Sequence, residues 1–396
     1  MKIAVMGYGT VGSGVVEIVE KRHTGTKRKP GDIEVKYILD IHDFPNDEFR
    51  HLLTKDVNDI LNCDEIKIVV ETMGGHKPAF DFVAAALKKG KSVVTSNKEL
   101  VATSGAELLK LARENNANFL FEASVGGGIP LIRPLSQCLA ANDILRIDGI
   151  LNGTTNFIFT QMIDEGATFE DVLKEAQDLG YAEKDPTDDV EGIDAARKIA
   201  ILASIAGGVH ITADQVFTEG ITKITQFDVE TAGKLNCVIK LIATAKKCKN
   251  DKYVCLVTPA LVSKNSLISN VNGVFNAVMV NGDSVGEIML YGPGAGKLAT
   301  ASAVVADVLD CAKHMDVDRS EKWLANTPDA ANDISGLICN AYVSGCGDIN
   351  KATEVFGDVQ TVVDGETYAL VTKTPAPFTE LKAKADLINA KIIRLI

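Results

Sequence analysis

The chain has 396 residues, more than one hydrophobic core comfortably accommodates, so two or three domains are expected. With 46% apolar and 24% charged residues, it has the make-up of a soluble globular enzyme. A formal net charge of −12 argues against nucleic acid and anionic membrane as main partners, because either would repel this surface.

Met1 leads directly into a short apolar strand with no n-region or cleavage site, so no secretory signal is expected. Through residue 125, Ile- and Val-rich runs alternate with helical ones. Strands are expected over 2–6, 34–40, 66–72, 92–96 and 118–125. Helices are expected over 11–22, over 77–89 with Gly90 as the closing residue, and over 98–115. This alternation specifies an α/β fold with a Rossmann-type, doubly wound parallel sheet. A boundary is expected at 130–134, after the Gly126-Gly127-Gly128 turn. Beyond it, 135–290 mixes helices and strands in an α+β domain, with a long helix over 190–206 and β-rich runs over 252–262 and 277–280. The stretch 199–209 is the longest apolar one, is interrupted by small residues and is too short to span a bilayer. Gly292-Pro293-Gly294-Ala295-Gly296 then precedes a helix over 297–313. The last stretch, 330–396, reads as strand, helix, hairpin turning at Asp364-Gly365, helix, and a strand over 391–396, the order of a small α+β regulatory domain of the ACT type. The eight cysteines contain no CxxC pair, which points to reduced thiols in a cytoplasmic protein rather than metal knuckles.

The opening strand runs into Gly7-x-Gly9-x-x-Gly12 and then a helix. In a dinucleotide fingerprint Gly7 permits the tight turn, Gly9 lets backbone approach a pyrophosphate, and Gly12 lets helix and strand pack closely. The helix N-terminus offers free N–H groups and a positive dipole end to the phosphates. Cofactor choice turns on Asp40, at the end of the second strand, where a carboxylate accepts hydrogen bonds from a ribose 2′-hydroxyl and repels a 2′-phosphate. Residues 21–32 read as an inserted loop whose His23, Lys27, Arg28 and Lys29 could attract a 2′-phosphate. The loop reads more simply as solvated, and NAD is favoured over NADP.

Four further groups bear on chemistry. Ser96-Asn97-Lys98 follows the fourth strand, at the carboxyl ends that line a ligand crevice; Lys98 is either a surface lysine at a helix start or, since a cation is electrostatically disfavoured there, one placed to face substrate or nicotinamide. Asp194 and Lys198 stand four apart on one helical face; they form either an exposed ion pair or a functional pair entering a buried helix. The run from Glu122 to Pro130 either exposes several carbonyls to a hard monovalent cation or simply permits positive φ. Asn152-Gly153-Thr154-Thr155-Asn156 either lines a site or begins a helix with a threonine cap.

Taken together, GYGTVG, SNK, EASVGGGIP, GILNGTTNFI, GYAEKDPTDDVEGIDAARK and YGPGAGKLATASAVVADV resemble the homoserine dehydrogenase family in order and spacing over about residues 1–313. The resemblance implies reduction of L-aspartate 4-semialdehyde to L-homoserine with NAD(P)H, on the route to threonine, methionine and isoleucine. It implies an NAD(P)-binding Rossmann domain over 1–130, completed by 291–313, a catalytic and dimerisation domain over 131–290, a possibly regulatory ACT-like domain over 330–396, and a homodimer. By the same resemblance Tyr8, Thr10, Val11, Thr72, Ser96, Lys98 and Gly296 would contact the cofactor, and Glu183 the substrate amino group. Lys198 would protonate the carbonyl oxygen with Asp194 and Lys98 beside it, and main-chain oxygens of Glu122, Val125, Gly127 and Ile129 would hold a sodium ion. The tail departs from the family's usual regulatory pattern and carries Cys339 and Cys346, which puts feedback control by threonine in doubt.

Two rivals differ in kind. A non-catalytic nucleotide sensor would bind dinucleotide without turnover and leaves Lys98, Glu183, Asp194 and Lys198 unexplained. A phosphorylating semialdehyde dehydrogenase needs an activated cysteine, and the nearest one, Cys138, sits in an ordinary helical run.

Overall fold

The computed structural model describes residues 1–21 and 33–396; the basic loop that could attract a 2′-phosphate lies outside them. The chain forms two units. The first comprises 1–141, 204–212 and 292–327, and the second 142–203, 213–291 and 328–396.

The first unit opens with β1 (Lys2–Met6), α1 (Thr10–Lys21), β2 (Glu34–Leu39), β3 (Leu53–Thr54) and α2 (Val57–Leu61). It continues with β4 (Ile66–Glu71), α3 (Ala79–Lys88), β5 (Ser92–Thr95), α4 (Lys98–Glu114) and β6 (Phe119–Leu120). These six strands form one sheet in the order β3-β2-β1-β4-β5-β6, every pair parallel, which is the arrangement of a dinucleotide-binding fold. Ile3, Val5, Val70 and Val94 cluster with Val15 and Val19 of α1 and with Val304 and Val308 of the Lys297–Lys313 helix. Ala4, Met6, Val69 and Val93 of the alternate parity are equally buried, so both faces of the sheet are covered, as a parallel sheet requires. The expected strand over 118–125 ends at Leu120. Glu122–Ser124 turns instead as a short 3₁₀ segment, because the Glu122 carboxylate collects the backbone N–H groups of Leu131, Ile132 and Arg133 at 2.5, 2.8 and 2.9 Å.

The second unit begins with β7 (Ile144–Ile150), α5 (Gly153–Asp164), α6 (Phe169–Asp178), α7 (Thr187–Val190) and α8 (Ile193–Gly207). It continues with β8 (Phe217–Thr218), α9 (Gln226–Lys234), β9 (Cys237–Lys247), β10 (Tyr253–Ser263), β11 (Phe275–Gly282) and β12 (Gly286–Pro293). The long helix expected over 190–206 starts three residues later, at Ile193. Gly192, at φ +79°, breaks the chain between α7 and α8, a conformation that a residue with a Cβ resists.

After the Lys297–Lys313 helix, here α10, the chain returns with β13 (Ala331–Asn332), β14 (Ile338–Cys339), β15 (Ala341–Cys346) and α11 (Ile349–Phe356). It ends with β16 (Val359–Val363), β17 (Thr367–Thr372), β18 (Ala376–Pro377), α12 (Phe378–Leu387) and β19 (Lys391–Leu395). The hairpin β16–β17 turns where Asp364-Gly365 placed it. β19-β15-β17-β16 is an antiparallel run with α11 and α12 packed on it through Ala352, Phe356, Leu381 and Ala385. Parallel pairing of β19 with β10 makes this run part of one sheet ordered β12-β11-β7-β9-β10-β19-β15-β17-β16. Arg394, 1% exposed, fastens that seam by donating to Thr258 Oγ1, Ile242 O and Thr244 Oγ1 at 2.7, 2.8 and 3.0 Å. Among the described residues, no helix is long and apolar enough to cross a membrane.

Candidate active site

In the first unit, the turns after β1 and β4 meet. Gly7 N donates to Leu39 O and Thr72 N to Met6 O, both at 2.8 Å, while Thr72 Oγ1 donates to Gly7 O at 3.0 Å. A Cβ on Gly12 would lie 1.9 Å from Gly7 O, so only glycine lets α1 come this close to the strand. Gly9 has nothing within 4 Å of its would-be Cβ, which leaves open space over the turn. With no acidic residue in the first turn of α1, its exposed start at Thr10 keeps an uncompensated positive end. That open, electropositive cradle fits a dinucleotide pyrophosphate. Val11 packs against the core. The Tyr8 ring is turned inward, donating from its hydroxyl to Asp47 Oδ1 at 3.1 Å and meeting Phe44 edge-on, so only its backbone faces the turn.

Asp40 follows β2. Its Oδ2 accepts from Tyr8 N at 2.7 Å and its Oδ1 from His42 N at 2.9 Å, with the His42 ring nitrogen 3.0 Å away. Partial burial pushes this carboxyl up, but the hydrogen bonds from His42 and Tyr8 outweigh it and hold the group below the usual carboxylate range. Ser96 is half-buried and Lys98 opens α4. Gly296, at φ +120°, precedes α10.

Two residues hold this region: Glu71, which the sequence reading missed, and Asn97, to which it gave no role of its own. Glu71 is fully buried at the end of β4 and accepts from Thr95 Oγ1 at 2.5 Å and Met73 N at 2.8 Å; burial raises its pKa, against those bonds. Asn97 caps α4 by accepting from Leu100 N at 3.0 Å and donates to Gly75 O at 2.6 Å, tying the Ser96–Lys98 turn to the turn after β4. A carboxylate closing the apolar run Ile66-Lys67-Ile68-Val69-Val70 was the available signal for Glu71.

The Gly126–Gly127 turn has positive φ at both residues, 73° and 54°. The Glu122 side chain is spent on the N–H groups of 131–133 and on Arg133 Nε at 3.1 Å. Asp307 of α10 accepts from Glu122 N at 2.8 Å and pairs with Arg133 at 3.2 Å; its full burial lifts the carboxyl to about 7 against the pull of Arg133.

In the second unit Asp194 and Lys198 do form a pair, Nζ to Oδ2 at 2.7 Å, with side chains 4% and 12% exposed. This is not a surface ion pair. Lys198 Nζ also donates to Leu151 O at 2.7 Å, and Asn152 Nδ2 donates to Asp194 Oδ2 at 3.0 Å and Asp189 Oδ1 at 2.6 Å. The Asn152–Asn156 turn therefore does both things open to it: it meets the charged cluster and starts α5. The cap is Asn152, accepting from Thr155 N at 2.9 Å, and not a threonine. Thr154 Oγ1 donates to Tyr181 O at 2.7 Å, tying the same helix start to the loop between α6 and α7. Glu183 is exposed on that loop, its main-chain oxygen accepting from Gln177 at 3.0 Å. Lys98 and Lys198 belong to different units.

A family model described as "Homoserine dehydrogenase, NAD binding domain" matches residues 7–122, and one described as "Homoserine dehydrogenase" matches 130–309. Homoserine dehydrogenase of Pseudomonas aeruginosa is 45% identical over 337 residues, covering 84% of this chain and 77% of its own length. That of Bacillus subtilis is 42% identical over 320 residues, covering 80% and 73%. Among solved structures, a homoserine dehydrogenase from Thiobacillus denitrificans aligns over 100% of this chain and 98% of its own, with a TM-score of 0.90 and 36% identity. A hyperthermophilic archaeal homoserine dehydrogenase in complex with NADPH covers 79% of this chain and 97% of its own, with a TM-score of 0.67 and 30% identity.

Proposed function

The chain belongs to the homoserine dehydrogenase family, and from that premise we propose that it interconverts L-homoserine and L-aspartate 4-semialdehyde with Lys198 as the proton donor. The observation that carries the residue assignment is the largely buried Lys198–Asp194 pair, an ammonium held ready beside a carboxylate in the second unit.

The nicotinamide cofactor supplies the hydride when bound. As the aldehyde carbon is reduced, its oxygen gains negative charge, and the Lys198 ammonium stabilises that charge and donates the proton. In the reverse direction, neutral Lys198 takes the hydroxyl proton of homoserine. Asp194 orients the amine and balances its charge. Glu183 binds the substrate ammonium, and Lys98 is assigned to the cofactor. The backbone of Gly7, Tyr8, Gly9 and Gly12 with Thr10, Val11, Thr72, Ser96, Lys98 and Gly296 holds the dinucleotide.

NAD is the preferred partner on this reading, and the support is Asp40, a carboxylate just after β2 that would accept from the ribose 2′-hydroxyl of a bound dinucleotide and repel a 2′-phosphate. A sodium ion is assigned to the carbonyl oxygens of Glu122, Val125, Gly127 and Ile129, supported by the two positive-φ glycines and by the engagement of the Glu122 carboxylate elsewhere. All eight cysteines are free thiols, which supports a reducing cytoplasmic setting. The assembly is assigned as a homodimer. A regulatory role is assigned to residues 330–396, which supply none of the residues given to the reaction.

Reduction of NAD⁺ or NADP⁺ with L-homoserine tests the proposal. Turnover is expected for the wild type. Lys198→Ala is expected to lower kcat by about 10²–10⁴ with nucleotide affinity intact. Absence of homoserine-dependent turnover with both cofactors overturns the reading, and an undiminished Lys198→Ala removes Lys198 from it.

A further inference from the structure

We infer that Asn152 is a positioning residue for the proton donor: its side-chain amide bridges Asp189 and Asp194 across the break between α7 and α8 and fixes the carboxylate against which Lys198 holds its proton. This rests on the assignment of Lys198 above.

The amide of Asn152 is 5% exposed and uses both its ends. Nδ2 donates to Asp189 Oδ1 at 2.6 Å and Asp194 Oδ2 at 3.0 Å; Oδ1 accepts from Thr155 N and Thr155 Oγ1, each at 2.9 Å. The orientation is forced, since the flipped amide would set its oxygen against two carboxylates and its NH₂ against two donors. Capping α5 requires only the acceptor, which serine or aspartate would supply equally well. The two donors exceed what a cap needs, and only an amide offers them here together with the acceptor.

What those donors do follows from the shared oxygen. Asp194 Oδ2 receives both Asn152 Nδ2 and Lys198 Nζ, the latter at 2.7 Å. A second donor on that oxygen lowers its basicity, so Lys198 holds its proton less tightly than it would against a bare carboxylate. Leu151, the preceding residue, gives its carbonyl to the same ammonium at 2.7 Å. The two residues between β7 and α5 thus seat both partners of the pair. Asp189 of α7 and Asp194 of α8 both meet Asn152, and Lys198 of α8 joins them through Asp194, with Arg197 of α8 paired to Asp188 of α7 at 2.5 Å alongside.

Two variants keep the helix cap and remove the amide that bridges the two carboxylates: Asn152→Ser, whose shorter side chain has a single hydroxyl donor, and Asn152→Asp, which has none and adds a negative charge. For homoserine oxidation, where the neutral amine is needed, the rise of kcat with pH is expected to move to higher pH, by about one unit for Asn152→Asp and less for Asn152→Ser. At a fixed pH kcat is expected to fall about 10-fold or more while nucleotide Kd stays within about twofold. A loss of thermal stability with the pH limb unmoved and kcat retained would mean that Asn152 only caps α5, and overturns the inference. Lys198→Arg separates the two failures. If the wild-type limb survives in Lys198→Arg, the Lys198 assignment has failed; if it vanishes there but ignores Asn152, only this inference has.

Discussion

In the nucleotide unit, Gly7, Gly9 and Gly12 lie within six residues of one another at the junction of β1 and α1. In the second unit, the cluster around Lys198 draws on Leu151 and Asn152, 47 and 42 residues from their partners, and on the break at Gly192. The first site is dictated by a local steric demand: backbone must pass close to backbone, and only glycine allows it. The second is a set of ordinary polar residues whose meaning depends on burial and on what lies across from them. A site made by local backbone leaves a motif; one made by distant side chains leaves only candidates.

The largest effect that would break this comparison belongs to Gly12→Ala. The new methyl would sit 1.9 Å from Gly7 O, so the turn must open. Nucleotide binding is expected to weaken by at least ~100-fold and stability to fall by about 3 kcal/mol, read by fluorescence titration and denaturant unfolding. Near-normal binding would mean that the nucleotide site is less local than its motif suggests. A smaller effect is expected at Asp40, where the motif ends and a side chain takes over. Asp40→Ser should shift the ratio of NAD to NADP kcat/KM toward NADP by about 10-fold, the value of roughly 1.4 kcal/mol. An unchanged ratio would remove Asp40 from cofactor choice.

The smallest effect sharpens the comparison by finding a long-range cluster inside the nucleotide unit. Asp307 faces Arg133, the Glu122 N–H and Asp310, and burial raises its carboxyl to about 7. A carboxyl whose pKa is raised on folding contributes stability below its unfolded value and loses it as pH rises through about 7. The unfolding free energy of the wild type should therefore drop by about 1 kcal/mol between pH 6 and pH 8 relative to Asp307→Asn. Parallel curves for the two proteins would show that Asp307 stays ionised throughout.

Much of the architecture was legible because it rests on period and punctuation. β1 and the Lys297–Lys313 helix fall on their expected bounds, and the β16–β17 hairpin turns at Asp364-Gly365. The misses have two causes. The strand expected to reach residue 125 stops at Leu120 because a glutamate side chain captures three amides from ten residues downstream, and nothing in the local pattern announces that. The helix expected from 190 starts at Ile193 because Gly192 takes a left-handed conformation, which apolar periodicity does not register.

What the sequence determined by itself is the nucleotide turn, the alternation that builds its parallel sheet, and the residue types available for proton transfer. Those follow from steric and periodic rules that act within a few residues. Only the tertiary structure decided that Asp194 and Lys198 are a largely buried pair and not a solvated one, and that Asn152 and Leu151 close around them. It also decided that Glu71 and Asn97 brace the Lys98 turn, and that the C-terminal run joins the second unit's sheet through β10. The physical reason is common to all of these: burial and hydrogen-bond partnership are properties of what packs against a residue, and those neighbours are distant in the chain.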